Sequence, residues 1–592
     1  MRAEVRALLV EALKRAVDDG ALTLDELPDI VVERTRDPAH GDFACPSALA
    51  LAKAARRHPR DIAAAIAERL PVDGIIAKHE IAGPGFINLT LSANAYQGLV
   101  QTIREQRENF GRSNIGAGRK IQVEFVSSNP TGPLHVGHGR GAAYGSAIAD
   151  LLEAVGHDVQ REYYVNDAGR QMHILTASVW LRYLELYGYT IIFPANGYKG
   201  SYVSDIAQLL QKSDGDTLAR GGETIMAGLP PDEPEGGDKE KHIDAIIEKT
   251  KDALGKSAYQ RVFDLALNTI LDSIGKDLEE FGVTFQRWYS ERSLSDSGAI
   301  DKAVRKLRRA GHVYEQDGAL WFRSTDFGDE KDRVVIRDNG EGTYFASDIA
   351  YHIDKLERGF DRVINVWGAD HHGYIARVRG ALIACGEDAD RLTVQLVQFA
   401  NLVRGGEIIS MSTRGGEFVT LRELYAQVGT DAARFFYTMR KNDQHMDFDL
   451  ELATQQNRTN PVFYVQYAHA RVCSVARRAD EAGIAPPALR GEADLNRLTH
   501  RAERDVMVIL ARYPDAVESA ALDLSPHTLA QYLRDLATAL HAWYDLGRTD
   551  PGIRVLVDDS ARRKARMALA DAARIVLANG LGLLGVSAPE SM

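Results

Sequence analysis

The architecture of this chain follows from one segment, Ile121-Gln-Val-Glu-Phe-Val-Ser-Ser-Asn-Pro-Thr-Gly-Pro-Leu-His-Val-Gly-His-Gly-Arg-Gly-Ala142. Apolar and polar residues alternate from Ile121 to Val126, which predicts a β-strand. Asn, Pro and Gly residues then end the strand, and the pattern after them predicts a helix. His135, Gly137 and His138 therefore lie at a strand-to-helix turn, where unpaired backbone N–H groups and the positive end of the helix dipole favour an anion.

The two imidazoles of this turn can donate hydrogen bonds to a phosphate, and Gly137, which has no Cβ, allows a flat base or ribose to lie against the backbone. Taken alone, a His-x-x-His pair is more often a surface pair or part of a metal site. The lead-in Asn129-Pro-Thr-Gly-Pro133 favours nucleotide chemistry. With it, the segment resembles the HIGH signature of class I aminoacyl-tRNA synthetases, in the form found in bacterial arginyl-tRNA synthetases.

Length and composition indicate a large globular protein of several domains. The chain has 592 residues, of which 45% are hydrophobic and 26% are charged, and this length implies about three or four domains. No apolar run approaches the ~18 residues that a membrane-spanning helix needs. The segment Met1–Gly20 contains acidic as well as basic side chains, which signal and transit peptides avoid.

The cysteines and the charges bear on location and partners. Cys45, Cys385 and Cys473 are too widely scattered for a zinc ribbon and are typical of a protein in a reducing cytoplasm. The formal net charge is −12, but residues 456–592 carry 17 Lys plus Arg against 16 Asp plus Glu, a net charge of +1. Because a local basic face is sufficient for RNA binding, the overall acidity does not exclude a nucleic-acid partner.

Three domains are predicted. Residues 1–115 have the pattern of an α+β module, in which Gly41-Asp-Phe43 and Gly83-Pro-Gly-Phe-Ile-Asn88 resemble the N-terminal domain of arginyl-tRNA synthetases, which in that family contacts the elbow of the tRNA. Residues 116–455 alternate strands and helices, which predicts an α/β domain with a Rossmann-type, doubly wound parallel sheet. Residues 456–592 have helical periodicity and predict an all-α bundle, which the resemblance identifies as an anticodon-binding domain.

An insertion is predicted within the α/β domain, at about residues 181–285, where the alternation stops. Its segment Ser213–Lys241 is rich in Gly, Asp, Glu and Pro and has almost no apolar pattern, which predicts a mobile loop or linker. Helices are predicted to follow this segment over Ile243–Leu254 and Tyr259–Phe281.

Two further segments place polar residues near the ends of predicted strands. Gly342-Thr-Tyr-Phe-Ala-Ser-Asp-Ile349 leads into a helix predicted over Asp348–Arg358, and Gly368-Ala-Asp-His-His-Gly-Tyr374 follows the next strand. Taken singly, Asp348 is explained as a helix N-cap and Asp370 as a turn residue. Grouped beside the strand ends, in register with the family pattern, they predict a polar ligand pocket.

The segment Glu407-Ile-Ile-Ser-Met-Ser-Thr-Arg-Gly-Gly-Glu-Phe-Val-Thr420 matches the KMSK loop of the family in position, but Ser and Thr stand in the places of both lysines. Met411 and Ser412 are retained, and Arg414 follows at once. The resemblance implies a cation here that neutralises the leaving pyrophosphate, and Arg414 is the candidate for that charge. The alternative is a glycine-rich turn without a role.

The resemblance covers nearly the whole chain and implies arginyl-tRNA synthetase activity. L-arginine and ATP would form arginyl-adenylate and pyrophosphate, and the arginyl group would pass to the 2′-hydroxyl of the 3′-terminal adenosine of tRNA(Arg). The resemblance also implies Mg²⁺ accompanying ATP, no zinc and a monomer. With no membrane partner expected, the sequence predicts a cytoplasmic enzyme whose catalysis is positioning plus electrostatics.

The family pattern assigns roles to individual residues. A guanidinium group requires anionic or multiply accepting partners, which Asp348 and Tyr344 would supply. The α-amino and carboxylate groups of arginine are assigned to Glu124, Ser127 and Asn129. The residues assigned to ATP are His135, Gly137, His138, Gly368, Asp370, Met411 and Ser412. For Gly368 and Asp370 the assignment is open between the ribose of ATP and the arginine. Charge in the transition state would be stabilised by His135, His138 and Arg414.

The C-terminal helices carry candidates for tRNA contacts. Aromatic and arginine side chains that could stack on and clamp unpaired bases are Tyr464, Tyr467, Trp543, Arg471, Arg477 and Arg478. Burial of the aromatic residues in the core of the bundle explains each of them equally well.

Two other functions remain open. One is a class I synthetase for another amino acid, such as cysteine or glutamate; the cysteine enzyme needs zinc ligands that are absent here, and the pairing of Tyr344 with Asp348 suits a cation. The other is a non-catalytic tRNA-binding protein, in which the loss of both KMSK lysines would reflect lost activity. The intact pair of His135 and His138 argues against this alternative. Charging of bulk tRNA with a panel of amino acids separates all three.

Overall fold

The computed structural model describes residues 1–35, 37–71, 74–409, 419–488 and 493–592. Among these residues, no helix is both long enough and apolar enough to span a membrane. The chain contains an N-terminal α+β unit, a central α/β unit and a C-terminal group of helices.

The N-terminal unit is a four-stranded antiparallel sheet packed against helices. Its strands, in the sheet order β1-β2-β4-β3, are β1 (Glu33–Arg34), β2 (Phe43–Cys45), β3 (Ile76–Ala82) and β4 (Phe86–Leu91). Its helices are α1 (Arg2–Asp18), α2 (Ser47–Ala55), α3 (Pro59–Ala67) and α4 (Ala93–Gln106). Helix α1 buries Val5, Leu9 and Leu13, which recur at the spacing of one helix face.

The strands of the central unit form three sheets. In chain order they are β5 (Lys120–Glu124), β6 (Asp158–Val165), β7 (Arg287–Ser290), β8 (Val313–Gln316), β9 (Ala319–Phe322), β10 (Arg333–Ile336), β11 (Arg362–Gly368), β12 (Leu392–Val397), β13 (Ala400–Arg404), β14 (Glu407–Ile408) and β15 (Met446–Asp449). The main sheet has the order β12-β11-β5-β6-β7, and all of its pairings are parallel. The small sheets have the orders β10-β9-β8 and β14-β13-β15.

The helices of the central unit cover the sheets and connect their strands. In chain order they are α5 (Val136–Ala154), α6 (Arg170–Leu186), α7 (Ser201–Asp214), α8 (Lys239–Glu280), α9 (Arg292–Asp296), α10 (Ala299–Arg309), α11 (Tyr344–Glu357), α12 (Tyr374–Ala384), α13 (Leu421–Val428), α14 (Thr430–Thr438) and α15 (Leu450–Thr454). Strand β5 lies in the middle of the parallel sheet with α5 directly after it in the chain. The predicted α/β fold class is thereby confirmed.

The segment between α7 and α8 agrees only in part with its prediction. All of its residues are described, and besides the ends of α7 and α8 it has only one short 3₁₀ turn, Glu233–Glu235. It is nevertheless packed against the domain, because Leu218 and Ile225 are buried and the indole N–H of Trp180 donates to the carbonyl of Leu218 at 3.0 Å. The segment is thus a loop, as predicted, and its mobility stays a prediction. Its packing was not predicted, because these contacts join distant parts of the chain and leave no local pattern.

Helix α8 contains a break that agrees with the two helices predicted from the sequence. Gly255 has φ 68° and ψ 169°, which are not helical values, so that two helices meet there. Glycine tolerates this left-handed φ because it has no Cβ.

The C-terminal helices are α16 (Pro461–Glu481), α17 (Arg501–Leu510), α18 (Tyr513–Leu522), α19 (Pro526–Thr549) and α20 (Ser560–Leu583). In the part of the chain that the structure describes, the remaining 3₁₀ turns are Pro38–His40, Arg107–Asn109, Ser324–Phe327, Ala369–His371, Ala389–Arg391, Leu495–Arg497 and Pro551–Ile553. One continuous buried cluster includes side chains from all three units. The Tyr144 hydroxyl on α5 donates to the carbonyl of Leu524 at 2.8 Å, so α5 contacts the C-terminal helices directly.

Candidate active site

A cavity of about 810 Å³ lies at the carboxyl ends of β5, β6 and β11. This is where nucleotide sites occur in doubly wound parallel sheets. Most of the residues predicted from the sequence line it together: Glu124, Ser127, Asn129, His135, Gly137, His138, Asp348, Gly368 and Asp370. Among the described residues, no group of three or more His, Cys, Asp or Glu side chains is arranged to hold a metal ion.

The two histidines form a capping box at the start of α5. His135 is the N-cap, and its Nδ1 accepts a hydrogen bond from the backbone N–H of Gly137 at 3.1 Å. The Nδ1 atom of His138 accepts from the backbone N–H of His135 at 3.2 Å, and the ring centroids are 3.8 Å apart. Since Nδ1 accepts in both rings, each neutral imidazole carries its proton on Nε2.

Burial makes these histidines neutral donors. It lowers the pKa of His135, and burial together with the neighbouring His135 lowers the pKa of His138 to about 3. At neutral pH the pair therefore offers two N–H groups from Nε2 and no formal charge. A side chain at Gly137 does not fit without a shift, because its Cβ would lie 2.8 Å from Cε1 of His135.

The loop before α5 is held in an unusual backbone conformation. Val126 has φ 67° and Ser127 has φ 41°, in the left-handed region that β-branched residues rarely adopt. The hydroxyl of Ser127 accepts from the backbone N–H of Tyr164 at 3.1 Å, which ties the loop to β6. Such strain persists only where surrounding contacts enforce it, and it turns the loop residues Ser127 and Asn129 into the cavity.

The predicted KMSK-type residues Met411, Ser412 and Arg414 lie outside the described residues. The chain on both sides of them is described. The N–H of Ile409 donates to the carbonyl of Leu402 at 2.9 Å before the segment. After it, the N–H of Val136 donates to the carbonyl of Val419 at 3.1 Å. Thus the chain returns directly beside the histidine turn.

Asp348 is a partly buried carboxyl group that lines the cavity, and it does not cap the helix. Helix α11 begins at Tyr344, and the N-cap is Thr343, whose hydroxyl accepts from the backbone N–H of Ala346 at 3.4 Å. The predicted start of the helix at Asp348 is therefore wrong, because an N-capping threonine stands earlier in the same segment. The alternative explanation of Asp348 as a cap is excluded for the same reason. Burial, and secondarily the charge of Glu124, raises the pKa of Asp348 to about 7, although its hydrogen bond from the Tyr374 hydroxyl opposes this shift.

Tyr344 is not among the described residues that line the cavity. It is 50% exposed, and its hydroxyl accepts from the backbone N–H of Arg170 at 3.3 Å. The tyrosine that contacts Asp348 is Tyr374, the first residue of α12. The predicted pairing thus has a different partner, since Tyr374 reaches Asp348 from another helix.

The carboxyl group of Glu291, which is buried near Asp348, was not predicted. Glu291 directly follows β7 and is 4% exposed; burial first, then the charges of Asp348 and Asp167, raises its pKa to about 7. Its Oε2 atom has no hydrogen-bond partner among the described residues. The sequence offers one indication of this residue, because Glu291 directly follows Arg287–Ser290, the strand with which the sheet continues after the insertion. Two carboxyl groups with raised pKa values beside one cavity form an environment that an incoming cation would stabilise.

Gly368 and Asp370 lie at the end of β11. A Cβ at Gly368 would lie 2.4 Å from Oδ1 of Asp370, so a side chain there would displace the carboxylate of Asp370 from this position. Asp370 belongs to the 3₁₀ turn Ala369–His371, and its carboxylate is exposed, 3.6 Å from Nδ1 of His371. Asp370 therefore presents an accessible carboxylate to the cavity.

Comparison with known proteins places all three units in one family. The chain matches family models described as the arginyl tRNA synthetase N-terminal domain over residues 3–91, the class I (R) tRNA synthetase catalytic domain over 100–186 and 247–468, and the DALR anticodon binding domain over 465–592. It is 60% identical to an arginine–tRNA ligase of Thioalkalivibrio sulfidiphilus and 54% identical to one of Halorhodospira halophila, covering all of both chains in each case. It is also similar to the solved structure of Thermus thermophilus arginyl-tRNA synthetase, with a TM-score of 0.74, 25% identity and full coverage of both chains.

Proposed function

The chain belongs to the arginyl-tRNA synthetase family, and from that premise we propose how its own residues ligate arginine to tRNA. It is an arginine–tRNA ligase that uses ATP. The observation that carries the site assignment is that one cavity is lined both by the neutral N–H donors His135 and His138 and by the carboxyl group of Asp348. The buried carboxyl group of Glu291 lies close enough to Asp348 for their charges to interact.

The arginine side chain binds in the part of the cavity that contains the carboxyl group of Asp348. Its guanidinium is a rigid fork of five donors and pairs best with carboxylates. Asp348 supplies one carboxylate, held by the Tyr374 hydroxyl, and Glu291, directly after β7, lies close enough to Asp348 for their charges to interact. Tyr344, four residues before Asp348 on α11, provides an aromatic or hydroxyl contact to the guanidinium. At the other end, Glu124, Ser127 and Asn129 hold the α-amino and carboxylate groups.

ATP lies against the histidine turn. The Nε2–H groups of His135 and His138 donate to its phosphates, and Gly137 leaves room for the nucleoside. Gly368 and Asp370 contact the ribose. A carboxylate oxygen of arginine attacks the α-phosphorus, the bond to pyrophosphate breaks, and the histidine donors stabilise the added charge in the transition state. Met411, Ser412 and Arg414 belong beside the leaving pyrophosphate.

The second step passes the arginyl group to tRNA. The 2′-hydroxyl of the terminal adenosine attacks the carbonyl carbon of the adenylate and AMP leaves with its bonding electrons. Positioning and preorganised donors account for both steps, and no covalent enzyme intermediate is needed. Mg²⁺ accompanies ATP, because phosphate oxygens are its preferred ligands.

The C-terminal helices contact the anticodon part of tRNA. A cavity of about 390 Å³ between α16, α19 and α20 is lined by Arg471, Arg478 and Trp543 among others. The indole N–H of Trp543 is buried without a partner among the described residues, and Arg471 stacks on Tyr544 at 4.5 Å. These features suit an unpaired base. Tyr464, Tyr467 and Arg477 are assigned to the surrounding surface, and the N-terminal unit to the tRNA elbow.

We further propose that the enzyme acts as a monomer in the cytoplasm. Free thiols at Cys45, Cys385 and Cys473 support a reducing compartment. Sedimentation of the chain with and without tRNA tests the monomer.

Charging of bulk tRNA with each amino acid in turn tests the function. Incorporation of arginine alone, dependent on ATP, is expected. Charging with cysteine or glutamate would point to another class I specificity. Binding of tRNA without any charging would point to the non-catalytic alternative.

A further inference from the structure

A row of buried polar residues crosses the parallel sheet beneath the cavity. Glu124 on β5 is the register partner of Glu162 on β6 and of Asn365 on β11. These three residues are at most 5% exposed. Helix α11, which carries Tyr344 and Asp348, packs over this row with polar side chains. Buried polar contacts specify a helix position more sharply than apolar packing, because each donor must meet its acceptor.

Lys355 lies at the centre of this contact and is completely buried. Its ammonium group donates to Oε2 of Glu124 and, at 2.8 Å, to Oδ1 of Asn365. It also lies 4.3 Å from the centre of the Tyr351 ring. A buried lysine is costly unless its charge is paired and its donors are used. Here both conditions are met, and one of the partners, Glu124, lines the cavity.

The direction of every hydrogen bond beyond Lys355 follows from its charge. An ammonium group can only donate, so the oxygen of Asn365 faces Lys355 and its amide nitrogen donates to Nε2 of His352 at 2.7 Å. His352 is neutral, since burial lowers its pKa to about 3. Its proton is therefore on Nδ1 and is donated to the backbone carbonyl of Asp348 at 2.7 Å.

Two side chains on either side of Lys355 in the sequence, Tyr351 and Arg358, anchor α11 in the same way. Arg358 donates to both carboxylate oxygens of Glu162, and the hydroxyl of Tyr351 donates to one of them at 2.7 Å. The helix thus meets β6 through Glu162, β5 through Glu124 and β11 through Asn365. Neither sliding nor rotation of α11 is possible without breaking charged hydrogen bonds.

We propose that Lys355 is a positioning residue that sets the length of the amino acid accepted by the cavity. It holds Glu124 at one end and, through Asn365 and His352, the backbone that carries Asp348 at the other. The inference rests on the proposed roles of Glu124 and Asp348 as partners of the two ends of arginine. A pocket distinguishes ligands that differ by one methylene only if its ends are held at a fixed separation.

Lys355→Met is the direct test, in steady-state charging of tRNA by the full chain with arginine or homoarginine, which is one methylene longer. The KM for arginine is expected to rise by about tenfold or more, while the KM for ATP stays within about twofold. The preference for arginine over homoarginine in kcat/KM should fall by about fivefold or more. Unchanged selectivity in a folded Lys355→Met protein would overturn the inference.

A pH profile separates positioning from a merely structural role. Asp348 faces Tyr374, Glu124, Lys355 and Arg377, and it raises the pKa of the adjacent Glu291. Loss of the lysine charge should move the inflection in the arginine KM to higher pH, whereas a general loss of stability leaves its position unchanged. Lys306→Met is the matched control, because Lys306 on α10 also anchors α11, through Glu357 at the end of that helix, and bridges to Glu387, but it lies outside the cavity lining and pairs with neither Glu124 nor Asn365 among the described contacts.

If Lys355→Met does not fold, His352→Leu takes its place. This variant removes the hydrogen bonds of the His352 ring to Asn365 and to the backbone carbonyl of Asp348, and it retains the ion pair of Lys355 with Glu124. The same fall in preference is expected, and wild-type preference would overturn the inference. Asp348→Asn and Glu124→Gln are measured in parallel. If neither of these two variants raises the KM for arginine, the proposed arginine site is wrong, and the inference about Lys355 is wrong with it. If both raise this KM but Lys355→Met or His352→Leu keeps the wild-type preference for arginine over homoarginine, only the role of Lys355 is refuted.

Discussion

The Nδ1 atom of His138 accepts the backbone N–H of His135 at 3.2 Å, so the side chain of one histidine fixes the backbone of the other. The cost of this arrangement is that His138 cannot be protonated at Nδ1 without losing the bond. Its benefit is an Nε2–H donor whose tautomer does not vary. Both histidines are therefore preorganised to donate to an oxyanion at any physiological pH.

His138→Ala is expected to slow arginylation by about 10²–10³-fold, the size typical of losing one preorganised donor in a transition state. His138→Gln, which can place an amide N–H near the position of Nε2, should recover part of the rate. Single-turnover charging at saturating arginine and ATP is the measurement. Because the pKa of His138 is about 3, the rate should show no inflection from this residue between pH 5 and 8. An inflection abolished by His138→Gln would contradict the neutral assignment.

Asp348→Asn should raise the KM for arginine. The variant replaces a partly buried, charge-assisted hydrogen bond with a neutral one, which costs about 1.5–3 kcal/mol, or roughly 10–100-fold. The KM for ATP serves as the internal control. Wild-type kinetics with arginine would exclude Asp348 as the guanidinium partner.

Arginine affinity should depend on pH near neutrality. The pKa values of Asp348 and Glu291 are raised to about 7, and a guanidinium binds their ionised forms. As the pH falls from 8 to 6, both groups take up protons and the KM for arginine should rise, by up to about tenfold per unit for each group below its pKa. Arginine binding at pH 6.5, followed by calorimetry in two buffers, should release protons. Glu291→Gln is expected to flatten the profile, and a wild-type KM that is constant over this range would contradict the prediction.

Glu291→Gln should stabilise the free enzyme at alkaline pH. The folded-state pKa of Glu291 is raised above its ordinary value of 4.5 to about 7, so its favourable contribution is complete below about pH 4.5 and is lost as the pH rises through 7. Removing the buried charge should therefore increase the free energy of unfolding at pH 8 by on the order of 1–3 kcal/mol, and have little effect at pH 5. Thermal melting of both proteins across this range is the measurement. An equal shift in Tm at both pH values would indicate a packing effect instead.

Arg414→Ala is expected to slow the chemical step by about 10²–10³-fold, because Arg414 is the candidate cation for the leaving pyrophosphate. Arginine affinity should change little, since the contact strengthens in the transition state. Arg404→Ala and Lys441→Ala are the comparison variants in single-turnover arginylation. A decrease of less than about threefold for Arg414→Ala, with a larger one for either comparison, would assign the charge to that residue.

Local patterns in the sequence were sufficient for much of this molecule. Alternation over Ile121–Val126 and the Pro- and Gly-rich break after it locate β5, the strained loop and the histidine turn within one continuous segment. Strand and helix periods depend on neighbours two to four residues apart, so they can be read without the fold. The family resemblance then supplied the activity and the candidate residues.

Only the tertiary structure brought together the charged groups that set the chemistry of the cavity. Glu124, Glu291, Asp348 and Tyr374 come from four separate elements, and they meet because β5 lies between β6 and β11 in the sheet. Lys355 has the periodicity of an ordinary helical residue, and nothing in its neighbours shows that it is buried against Glu124. Burial and strand order decide which carboxyl groups have raised pKa values, because the cost of a charge depends on every group packed around it. Such surroundings are assembled from distant parts of the chain, and no local pattern encodes them.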